Sequence, residues 1–433
     1  MDNNQSTKIT NEDLAAAFVG EAEAKKFSQR QQRRTASGQP AAKPAKLKKP
    51  GRKYTIYNIV GGIGLVAGIA CLLVAFLALN PQQASLDYPT IPSKEAKDIK
   101  YSALTGEALA DQADLTAPAY CVQMPNGTDG ARPQAGLTDA GVVFEAIAEA
   151  GITCFAAIYQ DPSAAIIGPV RSLRIYYLQW DTPFDCTIVH AGGSGDALAA
   201  VANGYKDLSE DYSYMYRGTY GGRLWNNLFT TSNYLKKFSA DHGYDKSEIK
   251  GFSRLTPAES EAERADKSVK EKLDIIKPTT ENTSEVSVPV PSVALNLGGW
   301  DDFNVNYTYD AEHNVYLRSY ASGTAHEVYS CGATDLGERN PEDACTLAQV
   351  SPAVVVAMMV EESRAADNYH EDITAIGSGT AYIFQNGTAI EGKWQKSSAA
   401  DQIKFTDQSG QEIRLAPGQT FVTAVPNYGS VSY

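Results

Sequence analysis

Apolar and polar positions divide the chain into two textures joined by a polar connector. In residues 101–276, short apolar runs alternate with amphipathic stretches. Continuous runs predict strands over 118–124, 152–160 and 185–190. Helical spacing predicts a helix over 137–150, where Val142, Val143, Ala146, Ile147 and Ala150 share a face. Thr138 or Asp139 offers its cap and Gly151 its stop. Further helices are predicted over 171–180, 195–203, 233–242 and 256–272. Strand alternating with helix implies an α/β fold with a mainly parallel sheet covered by helices. Residues 277–292 form a Pro-, Ser- and Thr-rich linker. Beyond it the period drops to two, predicting strands over 293–297, 304–310, 314–320, 354–359, 379–385, 390–395, 403–406, 412–415 and 421–425. Asn386-Gly387 and Ser409-Gly410 supply hairpin turns. A smaller, mostly antiparallel β domain is therefore expected over 293–428.

Residues 56–79 contain no charge over 24 positions, enough to span a bilayer as one helix. The basic stretch before them places the N-terminus in the cytoplasm. The reading is a disordered cytosolic tail over 1–55, a transmembrane signal anchor over 56–80, a stalk over 81–100 and an extracytoplasmic main body. Ala67-Gly68-Ile69-Ala70-Cys71 loosely matches a lipoprotein cleavage site. However, Gly68 stands where such a site carries Leu, so an uncleaved anchor is preferred.

Charge sharpens this division. The whole chain carries −13, but residues 1–55 carry twelve Lys/Arg and five acids, a net +7 that leaves −20 on the remainder. That acidic body argues against nucleic acid or an anionic wall polymer as a non-specific partner. An exported body permits disulfides. Cys331 and Cys345, flanking a polar loop, are the best pair, and at most one bond is expected among Cys121, Cys154 and Cys186. No Cys-x-x-Cys or His-x-x-x-His spacing occurs, so neither a metal nor a cofactor is expected.

The candidate chemistry gathers where strands enter glycine loops. Arg171 and Arg174 follow Gly168-Pro169-Val170, and two guanidinium forks suit a carboxylate or phosphate. The bland reading is a salt bridge at the sheet rim. His190 opens the loop His190-Ala191-Gly192-Gly193-Ser194 at a strand's carboxyl end, where α/β sheets bind ligands. Gly192 and Gly193 allow close backbone approach. His190 is a general-base candidate, or else a histidine that orders its own loop. Ser194 is a conceivable nucleophile, although no Gly-x-Ser-x-Gly elbow is present. Glu145 and Glu149 sit four apart on the predicted helix, and Glu145 is the better acid candidate beside Phe144. Asn227 offers an amide to a ligand or caps a turn. The tyrosines at 205, 212, 214, 216 and 220 form a lid or pack on their own domain.

Several ordered motifs resemble an exported bacterial family of YerB-like proteins, a family of unknown function numbered 3048. They are Arg132-Pro133-Gln134-Ala135-Gly136-Leu137, Phe144-Glu145-Ala146, Gly151-Ile152-Thr153, Gly168-Pro169-Val170-Arg171-Ser172, His190-Ala191-Gly192-Gly193-Ser194 and Asn227-Leu228-Phe229-Thr230. Gly392-Lys393-Trp394 and Leu415-Ala416-Pro417-Gly418-Gln419-Thr420 continue the match in the second half. The resemblance implies an outward-facing, membrane-tethered, two-part protein and supplies no reaction. This chain departs from it at Cys154, where the family carries Arg, and by the uncharged run in place of a lipid anchor.

The expectation is a membrane-anchored envelope protein that binds an anionic ligand or partner protein through Arg171, Arg174, His190, Gly192, Gly193, Ser194 and Asn227. The alternative is a hydrolase of wall glycan or peptide with His190 and Glu145 as its acid/base candidates.

Overall fold

The fold, a computed structural model, describes residues 99–162, 164–219, 226–274, 288–331 and 337–433. The expected tail, the uncharged run and nearly all of the stalk lie outside these residues, as does 277–287 of the linker. Among the described residues no helix is long and apolar enough to cross a membrane.

In chain order the strands are β1 (Ala119–Pro125), β2 (Val142–Glu149), β3 (Ile152–Gln160), β4 (Thr187–His190), β5 (Asp207–Ser209), β6 (Tyr216–Arg217) and β7 (Leu228–Phe229). They continue with β8 (Val288–Pro289), β9 (Ser292–Asn296), β10 (Val305–Asp310), β11 (Val315–Tyr320), β12 (Glu327–Ser330), β13 (Thr346–Gln349) and β14 (Val354–Val360). The last are β15 (Glu362–Arg364), β16 (Glu371–Ile373), β17 (Gly377–Gln385), β18 (Thr388–Lys396), β19 (Lys404–Thr406), β20 (Thr420–Pro426) and β21 (Ser430–Ser432). The α-helices are α1 (Ile175–Asp181), α2 (Gly195–Val201), α3 (Ser232–His242), α4 (Pro257–Asp274) and α5 (Pro341–Ala344).

The expected α/β fold with a separate β domain is overturned. Strand makes up 39% of the fold and helix 15%. Strands from both halves build one mixed sheet ordered β19-β18-β17-β14-β20-β2-β3-β1-β4-β5, with β8 on β18. β1–β4, β4–β5, β2–β20 and β14–β20 pair in parallel, whereas β1–β3, β2–β3 and β14–β17 are antiparallel. The smaller sheet, β11-β10-β9-β21, covers part of one face.

The misread helix explains much of the difference. Residues 142–149 are β2, buried on both faces, so their apolar residues run continuously and imitate a helical stripe. The expected helix stop is instead a hairpin turn, with Ala150 at φ 52° and Gly151 at φ 79°, that leads straight into β3. Along β2, Val142, Phe144 and Ala146 enter the core that holds Ile188 and Trp180. Val143 joins the opposite core with Leu235 and Phe238 of α3.

One buried pair beneath α1 makes stability depend on pH. Gln123 Nε2 donates to Asp181 Oδ2 at 2.9 Å, while Gln123 Oε1 and Asp181 Oδ1 are buried without partners. A proton on Oδ1 supplies the missing donor and completes a two-bond acid–amide pair. Burial pushes the Asp181 carboxyl up to about 8 from 3.8, opposed by its bond to Gln123 and by Lys396. The folded protein therefore keeps a proton that the unfolded chain releases. That stabilising contribution is complete below about pH 4 and is lost as pH rises to about 8. Urea titrations of Asp181→Asn across this window should lack this fall; a parallel loss in both proteins would refute the pair.

Candidate functional site

The two loops singled out by sequence meet at one junction. Residues 171–174 are extended, and α1 starts only at Ile175. Arg171 N–H donates to Gln123 O at 2.8 Å, which docks this stretch beside β1. Ala191 N–H donates to Arg171 O, Leu173 N–H to Gly192 O and Ser194 N–H to Leu173 O, each at 3.0 Å. Glycine is required in this contact, because a Cβ on Gly193 would stand 2.9 Å from Leu173 O. Gly192 lies at φ 70°, a backbone that glycine adopts without strain.

The two arginines differ in their commitments. Arg174 is 6% exposed. Its Nη2 donates to Glu149 Oε2 at 2.7 Å and its Nη1 to Leu173 O at 3.1 Å. Burial disfavours its charge, but Glu149 more than offsets that and holds the guanidinium above its ordinary range. Arg171 is half-buried, and its guanidinium makes no hydrogen bond or ion pair among the described residues. Burial draws its pKa down, opposed by Cys154, Glu149 and Asp129.

Cys154 is a free, half-buried thiol at this rim. Burial pushes it up to about 12, so it stays neutral. The turn between β15 and β16 approaches from the other half. Burial raises Tyr369, and Glu149, Arg174 and Arg171 all act on it. Glu371 is raised by burial too, while the Ala150 N–H reaches it. Sequence gave no signal for Tyr369 or Glu371, because nothing local marks a contact across two hundred residues.

The remaining candidates are placed elsewhere or already engaged. His190 is 1% exposed. Its Nδ1 meets Gly192 O at 2.7 Å and its Nε2 meets Asp207 Oδ1 at 2.9 Å. Through these two contacts the imidazole clamps its own loop. Glu145 is fully buried and ion-paired with Arg318 at 2.8 Å. It lies on the opposite sheet face from His190 and three strands away, about 14 Å across the sheet. A bulge between Ile147 and Glu149 turns Glu149 to the arginine side while Glu145 stays in the core. Asn227 accepts from Arg217 Nη1 at 3.0 Å and donates to Gly218 O at 2.6 Å, which orders its turn. Tyr214 and Tyr216 pack into the body, while Tyr212 is exposed; Tyr220 lies outside the described residues. Cys331–Cys345 forms as expected, and Cys121 bonds Cys186.

Residues 104–245 match the N-terminal domain of a protein family of unknown function, DUF3048, and residues 295–422 match its C-terminal domain. The candidate lipoprotein YerB of Bacillus subtilis (strain 168) is 28% identical over 370 residues, covering 84% of this chain and 96% of that protein. The crystal structure of YerB from Bacillus subtilis superposes with a TM-score of 0.59 at 24% identity, covering 77% of this chain and all of the other. At that identity the likeness concerns the fold alone.

Proposed function

We propose, for a chain that belongs to the DUF3048 family, a membrane-associated extracytoplasmic protein that binds a small anionic envelope ligand through Arg171 and Arg174. The extracytoplasmic placement draws support from the lipoprotein relative and from two disulfides, which persist in oxidising compartments. The observation that carries the ligand reading is Arg171. A half-buried guanidinium without an acceptor is costly, whereas its neighbour Arg174 is held by Glu149. Arg171, Arg174 and Glu149 together leave one positive charge at the junction. An anion would satisfy the free fork with two parallel hydrogen bonds.

Equilibrium titration of the protein with small phosphate esters and carboxylates tests this reading. Arg171→Ala should weaken binding at least tenfold while the unfolding midpoint moves little. Undiminished binding of every anion by that variant would remove the proposed site.

A further inference from the structure

Ser194 Oγ and Arg174 Nε are buried without partners at the arginine junction, beside the uncommitted Arg171 guanidinium. From this we infer that the bound group is a phosphoryl oxyanion that takes a hydrogen bond from Ser194 as well as from the arginines. The inference rests on the anion-binding reading above and specifies its chemistry. Ser194 is 5% exposed and its Oγ has no partner. It stands just ahead of α2, yet its side chain caps no backbone N–H. Arg174 Nε is likewise buried without an acceptor.

These two groups belong to one neighbourhood. Leu173 O accepts from Ser194 N–H at 3.0 Å and from Arg174 Nη1 at 3.1 Å. The unmet hydroxyl and the unmet Nε–H therefore flank a single carbonyl. Arg171, two residues before Leu173, adds a third donor group without an acceptor. Buried donors left unmet cost stability until an acceptor arrives. The guanidinium groups can only donate and so call for acceptor oxygens, and the Ser194 hydroxyl, free to donate or accept, adds a further bond to the same group.

Geometry separates the two common oxyanions. A carboxylate has two oxygens in one plane and is used up by a single guanidinium fork. The donors here leave from positions 171, 174 and 194, on two chain segments. A tetrahedral phosphoryl group directs its oxygens out of one plane, which suits donors that leave from two segments better than a planar carboxylate does.

The test titrates full-length protein with glycerol 3-phosphate and with acetate at one ionic strength. The phosphate ester should bind at least tenfold more tightly. Ser194→Ala should lose about tenfold for glycerol 3-phosphate and less than twofold for acetate, while Ser194→Thr, which keeps the hydroxyl, retains most of the affinity. If Ser194→Ala fails to fold, the Ser194→Thr titration and the parent's preference between the two probes decide alone. Equal affinity of the parent for both probes overturns the inference. So does loss of phosphate binding in Arg171→Ala but not in Ser194→Ala, an outcome that leaves the anion site itself standing. Undiminished binding in both variants removes the site along with the inference. Competition by short-chain phosphatidylglycerol below its micelle concentration separates the two sources of the group. Displacement of glycerol 3-phosphate supports a lipid headgroup, and retention supports a soluble ester.

Discussion

Replacing Arg318 with methionine should lower the free energy of unfolding by about 3–5 kcal/mol, the usual cost of stranding one member of a buried ion pair. Arg318 and Glu145 are both 0% exposed. The guanidinium donates to Glu145 Oε1 at 2.8 Å, to Tyr307 Oη at 2.6 Å and to His326 Nδ1 at 2.9 Å. His326 Nε2 continues to Gln134 Oε1 at 3.2 Å. Burial, with Arg318 and Arg132 nearby, holds His326 well below its ordinary pKa, so it is neutral and free to accept. Thr153 and Thr423 donate to the Glu145 carboxylate. Arg318→Met leaves that carboxylate buried with only hydroxyl donors. The double variant Glu145→Met/Arg318→Met removes both charges and should regain most of the loss. Urea midpoints of the parent, Arg318→Met, Glu145→Met and the double variant measure this directly. A single-variant loss below about 1 kcal/mol would show that the pair does not hold the core.

Removing the Cys121–Cys186 bond should cost about 4 kcal/mol in the chain-entropy description, because it closes a loop of 65 residues. The Cys331–Cys345 bond spans 14 residues and should contribute about 3 kcal/mol. Cys121 and Cys186 also lie in the core beneath α1, so alanine substitution of both tests the bond more cleanly than a reductant that must first reach it. The expected result is a lower unfolding midpoint, with the larger drop for the 121–186 pair. A smaller drop for that pair would mean that strain in the folded state offsets the loop term.

The parts legible in the sequence were those with local signals. β1, β3, β4 and most strands after residue 290 lie where alternation or apolar runs placed them, and Asn386-Gly387 forms its turn with φ of 52° and 72°. Residues 171–174 read as the first turn of a helix and are instead extended, and it is their backbone that meets the 190–194 loop. What failed depended on distant partners. β2 resembled a helix because β3 and β20 flank it inside the sheet, and β20 lies 278 residues away at Glu145 and Thr423. Arg318 did carry a signal that was passed over. It shares the inward register of Tyr316 and Tyr320 on β11, where a charged side chain must find a buried partner.

The position of β20 between β14 and β2 also sets a timetable for biogenesis. Once β2 has been synthesised, 278 further residues must follow before its neighbour exists. At roughly 5–20 residues per second that interval is roughly 15–55 s. Throughout it, an apolar inner edge stands open to chance pairing with other nascent chains.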